Sequence, residues 1–170
     1  MYDDRGSELF EEITRLEEYY PTRTEAGILR EAAKPIGAFV WPRPVVVEYG
    51  AGAAVKTALL LAALDRPAEY LAVDLAGDFM SSSVARLGSQ FPGLKVRLRV
   101  ADFTRDFDLP DGLGAAPRLG FFPGSTFGNL SEAFTRLAEL GGWDVAELWT
   151  DADRLFAVFG LVAAEPAQGS

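Results

Sequence analysis

The sequence predicts an α/β fold, a mostly parallel sheet flanked by helices, with a helical extension at its N-terminus and an antiparallel hairpin at its C-terminus. Two observations carry this. Short β-branched or apolar runs alternate with segments of helical period, and most of those runs end in glycine or an acidic residue. The tail breaks the alternation, with two strand-like runs separated only by a short acidic connection. A chain of 170 residues can bury one substantial core and not two, so residues 1–170 are read as one domain, with a helical segment (1–40), a sheet core (41–164) and a tail (165–170).

Leu9, Phe10, Ile13 and Leu16 lie at helical spacing behind Ser7, a suitable N-cap, which predicts an amphipathic helix over 7–19. Pro21 disfavours helix at Tyr20, so Tyr19-Tyr20-Pro21-Thr22 reads as an interruption, 24–39 as a second helix, and Pro42 and Pro44 as a turn. Val45–Tyr49 is a strand with glycines directly after it, followed by a Leu- and Ala-rich helix over 55–64. A second strand over 70–74 ends in Asp74 and leads into a helix over 77–91. Third and fourth strands are expected over 96–100 and 119–122, and parallel strands linked this way place helices on both faces of the sheet. A helix over 132–140, stopped by Gly141-Gly142, and two strands over 145–149 and 155–162 joined through Asp151-Ala152-Asp153 complete the chain.

Composition removes several classes of chemistry. The net charge of −9, with scattered basic residues, offers no electrostatic footprint for a phosphate backbone, so nucleic acid is not expected as a partner. No apolar run approaches the roughly 20 residues a bilayer demands, and the acidic opening Met1-Tyr2-Asp3-Asp4 is unlike a signal segment, so no membrane association and a cytoplasmic location are expected. The chain has no histidine and no cysteine, which removes the commonest general base, the thiolate nucleophile and the commonest metal ligands. No metal site is expected. What remains is chemistry that runs on binding, alignment and a cofactor.

In a doubly wound sheet, ligands sit beyond the carboxyl ends of the strands. Gly50-Ala51-Gly52, Asp74, Asp102-Phe103 and Gly124-Ser125-Thr126 stand at those four ends. Gly50 and Gly52 permit a sharp turn and close approach to a ligand. Asp74, 24 residues beyond Gly50, is placed to accept both hydroxyls of a ribose, although a strand-end aspartate also caps helices. Asp102 and Phe103 suit an adenine, the carboxylate accepting from the exocyclic amine and the ring flanking the base; a turn acid beside a core phenylalanine is the competing reading. Nicotinamide enzymes share the glycine loop and the ribose acid, but Val55 stands where their fingerprint has a third small residue, so NAD is disfavoured.

Several stretches resemble the S-adenosylmethionine-dependent L-histidine Nα-methyltransferases of ergothioneine biosynthesis. They are Tyr2-Asp3-Asp4-Arg5-Gly6-Ser7-Glu8-Leu9-Phe10, Ile13-Thr14-Arg15-Leu16, Glu18-Tyr19-Tyr20-Pro21-Thr22-Arg23-Thr24-Glu25, Glu48-Tyr49-Gly50-Ala51-Gly52 with Lys56-Thr57, Asp102-Phe103, Gly124-Ser125-Thr126-Phe127-Gly128-Asn129 and Trp149-Thr150-Asp151. The resemblance implies a Rossmann-like class I methyltransferase sheet, whose parallel strands are closed by a hairpin. It implies N-methylation of a small amine or amino acid, histidine in the family, with S-adenosylmethionine as donor and S-adenosylhomocysteine as product. By motif, Gly50, Lys56, Asp74, Asp102 and Phe103 would contact the donor and Gly124, Ser125 and Thr126 would line the same cleft. Tyr19 and Asn129 would bind the acceptor, and Tyr2 would be the catalytic residue beside the nitrogen being methylated.

The sequence departs from that family after Asn129. There the family has a fifth strand and a long insertion that forms its substrate domain, whereas Leu130 here runs directly into Ser131-Glu132-Ala133-Phe134 and the last helix. A sheet missing that strand is expected to close by pairing strand four directly with the final hairpin. Two other functions fit the donor-side residues, a cofactor-binding or interaction module without catalysis and, with less support, an NAD-dependent oxidoreductase.

Overall fold

The computed structural model describes residues 9, 12, 13, 16, 19–51, 55–75, 77–103, 105, 107–113, 116–123 and 138–164. Of the helix expected over 7–19, Leu9, Glu12 and Ile13 are helical and Leu16 lies in a bend. Helix α1 (Pro21–Glu31) starts earlier than expected and α2 (Ala33–Phe39) is separated from it. Pro21 occupies the first turn, where its missing N–H is not needed and its fixed φ suits the helix, so it begins α1 instead of interrupting it. The break at Ala32 follows from Pro35, which has no N–H to offer the carbonyl of Glu31 and is tolerated only because a new helix starts just before it.

Strand β1 (Val45–Tyr49), helix α3 (Val55–Ala63), β2 (Glu69–Asp74), α4 (Gly77–Gln90) and β3 (Lys95–Val100) follow as two consecutive β-α-β units, and β4 (Arg118–Phe121) returns to the other side of β1. The sheet order is β3-β2-β1-β4, all parallel, with Val46 opposite Tyr70 and Leu119. Central strands β1 and β2 are buried on both faces, which explains their near-continuous apolar sequence. Edge strand β3 carries Lys95, Arg97 and Arg99 on alternate positions, charges that suit an exposed edge. Arg97 also forms an ion pair with the buried carboxylate of Glu69 and donates from Nη1 to the Asp111 carbonyl at 3.2 Å, tying the loop after β3 to the sheet.

Each face of the sheet has its own core. Val46, Tyr70 and Ala72 pack with Leu29 and Ile36 of α1 and α2, Leu60 and Leu61 of α3, and Met80 and Leu87 of α4. Thr57, Leu60 and Leu61 form the buried stripe of α3 at helical spacing, and Leu64, just past its end, continues it. On the opposite face Val45, Val47, Leu71 and Val73 are covered by Phe103, Phe107, Leu109 and Leu113 from the long β3–β4 connection. Helices were expected on both faces; among the described residues, loop side chains serve that purpose on the second one.

The final hairpin, β5 (Trp143–Thr150) and β6 (Ala157–Ala163), is antiparallel as expected, with a bulge between Val145 and Glu147. Its predicted role is corrected by the structure. It forms a separate two-stranded sheet, and among the described residues β4 pairs only with β1, so direct closure of strand four onto the hairpin does not occur. Packing explains the outcome, since Trp149 and Val158 join the core beneath the helices. Trp149 meets Phe39 edge-on at 5.8 Å, and Phe156 meets Tyr20 at 5.6 Å. The second strand starts at Ala157 because the Phe156 N–H donates to the Asp151 carboxylate at 2.7 Å and Arg154 adopts φ 57°, which leaves Leu155 in the turn. Of the helix expected over 132–140, residues 138–140 are described and helical.

Gly37 sets the spacing of the helical layer, since a Cβ there would lie 2.3 Å from the carbonyl oxygen of Ala63. Gly37→Ala is therefore expected to destabilise by about 1 to 3 kcal/mol through overpacking. Gly27→Ala, which would meet nothing within 4 Å, is expected to stabilise by about 0.5 to 1 kcal/mol through helix propensity and chain entropy. Urea midpoints moving in the same direction in both variants would contradict this packing account.

Candidate functional site

Two β-α-β steps carry the chain from β1 outward to β3, and the return to β4 reverses the strand order at the β1/β4 junction. Ligand crevices in such sheets open beyond the carboxyl ends at this reversal. Gly50 lies there. Its φ of 72° is left-handed and its N–H donates to the Val73 carbonyl at 2.9 Å, so the backbone turns away as soon as β1 ends. A Cβ on Gly50 would sit 3.6 Å from the ring of Phe103. That ring packs edge-on against Tyr49 at 5.9 Å and against Phe122, beyond β4, at 5.7 Å, while Tyr49 also meets Phe107 at 6.4 Å. An aromatic wall thus spans the ends of β1, β3 and β4.

Carboxylates stand at the ends of the two neighbouring strands. Asp74 is the last residue of β2 and half-buried, and its carbonyl accepts from the Ala101 N–H at 3.1 Å, which holds the start of the Asp102-Phe103 segment beside it. Asp102 is half-buried, with the exposed Arg105 guanidinium 3.6 Å away. Lys56, in the first turn of α3, donates to the Glu25 carboxylate of α1 at 2.8 Å.

Beneath the glycine turn lies Glu48, only 1% exposed in an otherwise apolar strand. One carboxyl oxygen accepts from the Thr57 hydroxyl and from the Tyr70 phenol, each at 2.7 Å, joining β1 to α3 and to β2. Burial pushes the carboxyl up to about 7; the Thr57 and Tyr70 hydrogen bonds and the Lys56 cation draw it down, and Asp74 pushes it up. Burial, then the neighbouring Glu48, drive the Tyr70 phenol far above its ordinary range, so it remains a donor.

Of the residues expected at the site, Gly50 and Phe103 are in direct proximity, with Asp74 and Asp102 at adjoining strand ends. Lys56 is turned to Glu25. Tyr19 lies half-buried just before α1, whereas Tyr20 packs on Phe156, a structural role. Tyr2, Gly52, Gly124, Ser125, Thr126 and Asn129 lie outside the described residues. In the sequence Glu48, Tyr49 and Glu25 stand out only as members of the family-like stretches, and Phe122 only as the end of the fourth strand, none with a role of its own. For Glu48 a signal existed, an acid inside a valine-rich strand that must find partners when buried. Among the described residues no cluster of three or more acidic side chains is arranged to hold a metal, and no helix is long and apolar enough to cross a membrane.

Residues 1–134 match the profile of a family described as histidine-specific, S-adenosylmethionine-dependent methyltransferases. The chain belongs to this family. It is 40% identical over 141 residues to a histidine N-alpha-methyltransferase of Mycolicibacterium smegmatis, an alignment covering 78% of this chain and 41% of the relative. It is 37% identical over 135 residues to the enzyme of the same name from Mycobacterium tuberculosis, covering 77% of this chain and 41% of that protein. A 92-residue stretch, 52% of the chain, is 38% identical to 10% of the ergothioneine biosynthesis protein 1 of Neurospora crassa. The chain therefore spans about 41% of the length of the bacterial relatives it matches.

Because Glu48 has its folded pKa raised, the native state holds a proton that the unfolded state has released between about pH 4.5 and about 7. Its stabilising contribution is complete below the unfolded value and is lost as pH rises through the folded one. The loss amounts to roughly 3 kcal/mol at the shift involved. Glu48→Gln, which keeps an oxygen acceptor for both hydroxyls, is expected to flatten this part of the pH dependence. Urea titrations at about pH 5 and about pH 8 read the effect, and an equal difference between the two proteins at both values would count against it.

Proposed function

We propose that this chain binds S-adenosylmethionine across the carboxyl ends of its parallel strands and serves the N-methylation of a small amine, with histidine the acceptor suggested by its family. The observation that carries this reading is the left-handed turn at Gly50 brought up against Phe103, with Asp74 and Asp102 ending the adjoining segment.

The residues present fit an adenosine-bearing ligand. Asp74 offers a carboxylate to the paired hydroxyls of a ribose, Asp102 offers one to an exocyclic amine, and Phe103 presents an apolar ring beside it. Gly50 keeps side-chain atoms out of the space next to that ring. S-adenosylmethionine, when bound, supplies an electrophilic methyl group on a sulfonium. The protein's own part is to align an amine with that methyl and to exclude water. Positioning of the amine is assigned to Tyr19, Tyr2 and Asn129, the set that the family resemblance implies. A phenol and an amide can orient an amine without placing a further charge in the cleft.

Calorimetric titration with S-adenosylhomocysteine tests the donor site. Asp74→Ala should weaken that binding by roughly 1 to 3 kcal/mol, and a folded variant of unchanged affinity would remove Asp74 from the site. Affinity for NADH with none for S-adenosylhomocysteine would instead assign the crevice to an oxidoreductase. Incubation with histidine and S-adenosylmethionine, read by mass spectrometry, tests the acceptor, and methylated histidine is the expected product.

A further inference from the structure

We propose that the amino-end face of the parallel sheet, opposite the crevice, docks an extended acidic segment of a partner protein. Arg43 and Arg118 pair with its carboxylates, and Trp41 seats an apolar side chain beside them.

The cations are scattered along the sequence, but the topology gathers them. Each strand of the parallel sheet is entered past a basic residue, Arg43 before β1 and Arg66 before β2, with Lys95 and Arg118 as the first residues of β3 and β4. Lys95 stands opposite Glu69, Glu69 opposite Val45, and Val45 opposite Arg118, so the strand starts form one row across the sheet. Three strand spacings make that row about 14 Å long. In a chain of net charge −9, the acids along these strand entries and starts are Asp65 and Glu69 alone.

Both acids are already engaged. Glu69 is buried and holds Lys95 and Arg97, while Asp65 holds Arg66 at 3.0 Å. Arg43 and Arg118 are exposed, and among the described residues neither forms an ion pair. Trp41, which follows α2, is 67% exposed and has no ring partner among the described residues. Tryptophan and arginine are the residue types that carry most of the energy at protein interfaces. A guanidinium also takes a carboxylate through two parallel hydrogen bonds.

The face is set before any partner arrives. The Arg43 N–H donates to the Asp65 carbonyl at 2.8 Å, the Ala68 N–H to the Pro44 carbonyl at 2.9 Å and the Val45 N–H to the Pro117 carbonyl at 2.9 Å, stitching the entries to β1, β2 and β4 together. Pro42, Pro44, Pro67 and Pro117 fix φ along those entries. Arg43 and Arg66 hold left-handed φ values of 58° and 50°, a conformation that residues with side chains rarely adopt. Such preorganisation lowers the entropy lost on binding. Three carboxylates at alternate positions of an extended segment span about 13 Å, which matches the row. A phosphate backbone would bring a longer run of anions against a chain whose overall charge repels them.

Fluorescence anisotropy of a labelled, capped heptapeptide with glutamate at alternate positions and a central leucine tests the assignment. Binding that strengthens as salt is lowered is expected. Replacing the peptide's glutamates by glutamine should cost about tenfold, as should the paired variant Arg43→Gln/Arg118→Gln, and Trp41→Ala about fivefold. Arg154→Gln, which removes the same charge from the hairpin turn, should bind within about twofold of the unaltered chain. Absence of binding at about 1 mM peptide, equal binding of the two peptides, or equal weakening by Arg154→Gln and the paired variant overturns the proposal. Tighter binding of an oligouridylate, lost in the paired variant, overturns it by assigning the face to nucleic acid. Sedimentation showing a self-associated chain that the paired variant dissolves overturns it by assigning the face to a second copy. Should circular dichroism show the paired variant unfolded, the glutamate–glutamine comparison on the unaltered chain and the Trp41→Ala loss decide the matter.

Discussion

The buried Glu48 carboxyl is the contact on which the arrangement of the crevice depends. A polar group at the centre of a parallel sheet is costly unless its hydrogen bonds are made. Here the Thr57 hydroxyl and the Tyr70 phenol both supply them to one oxygen. Because these partners come from α3 and β2, satisfying Glu48 also fixes the distance of α3 from the sheet and the register of its first turn. The placing of Lys56, one residue before Thr57, follows from that constraint. With its carboxyl pushed to about 7, Glu48 is divided between two protonation states near neutrality. In the neutral form it gains a proton to donate, so one hydroxyl can accept instead.

The two faces of the sheet contribute differently. On the Glu48 face, helices α1 to α4 supply a conventional apolar layer. On the other, aromatic and leucine side chains from the β3–β4 connection lie against Val45, Val47, Leu71 and Val73. Phe103 belongs both to that second core and to the crevice. The same ring that suits a nucleobase is therefore held by core packing against Tyr49 and Phe122, which gives it a defined orientation without a helix behind it.

Much of the fold was legible because its signals are local. The Val45–Tyr49 run, the stripe Thr57, Leu60, Leu61 and Leu64, and the apolar second strand ending in Asp74 each declare their element within a few residues. The strand-end logic then gathered Gly50, Asp74, Asp102 and Phe103 without knowledge of the packing. The helix break at Ala32 is signalled by Pro35, whereas Pro21, which in isolation reads as a breaker, sits in the first helical turn and starts a helix. The docking of the hairpin was not legible, because it depends on Phe39 and Trp149 meeting across more than a hundred residues, and no local pattern encodes that choice over pairing with β4. Glu25 was hidden for a similar reason, since only the packing of α1 against α3 reveals its partner.

The attachment of the hairpin has a further consequence for the energy landscape of the chain. Among the described residues no backbone ladder joins β5 and β6 to the parallel sheet, and the link runs through side chains, Phe39 with Trp149 and Tyr20 with Phe156. Contacts of this kind allow the hairpin to open as a sub-global unit while the strands beneath the crevice stay closed. The fold thus joins a hydrogen-bonded parallel platform to a hairpin that, among the described residues, is held to it by side-chain packing. Changes in the hairpin can be absorbed at the aromatic joints, leaving the hydrogen-bonded order of the platform untouched.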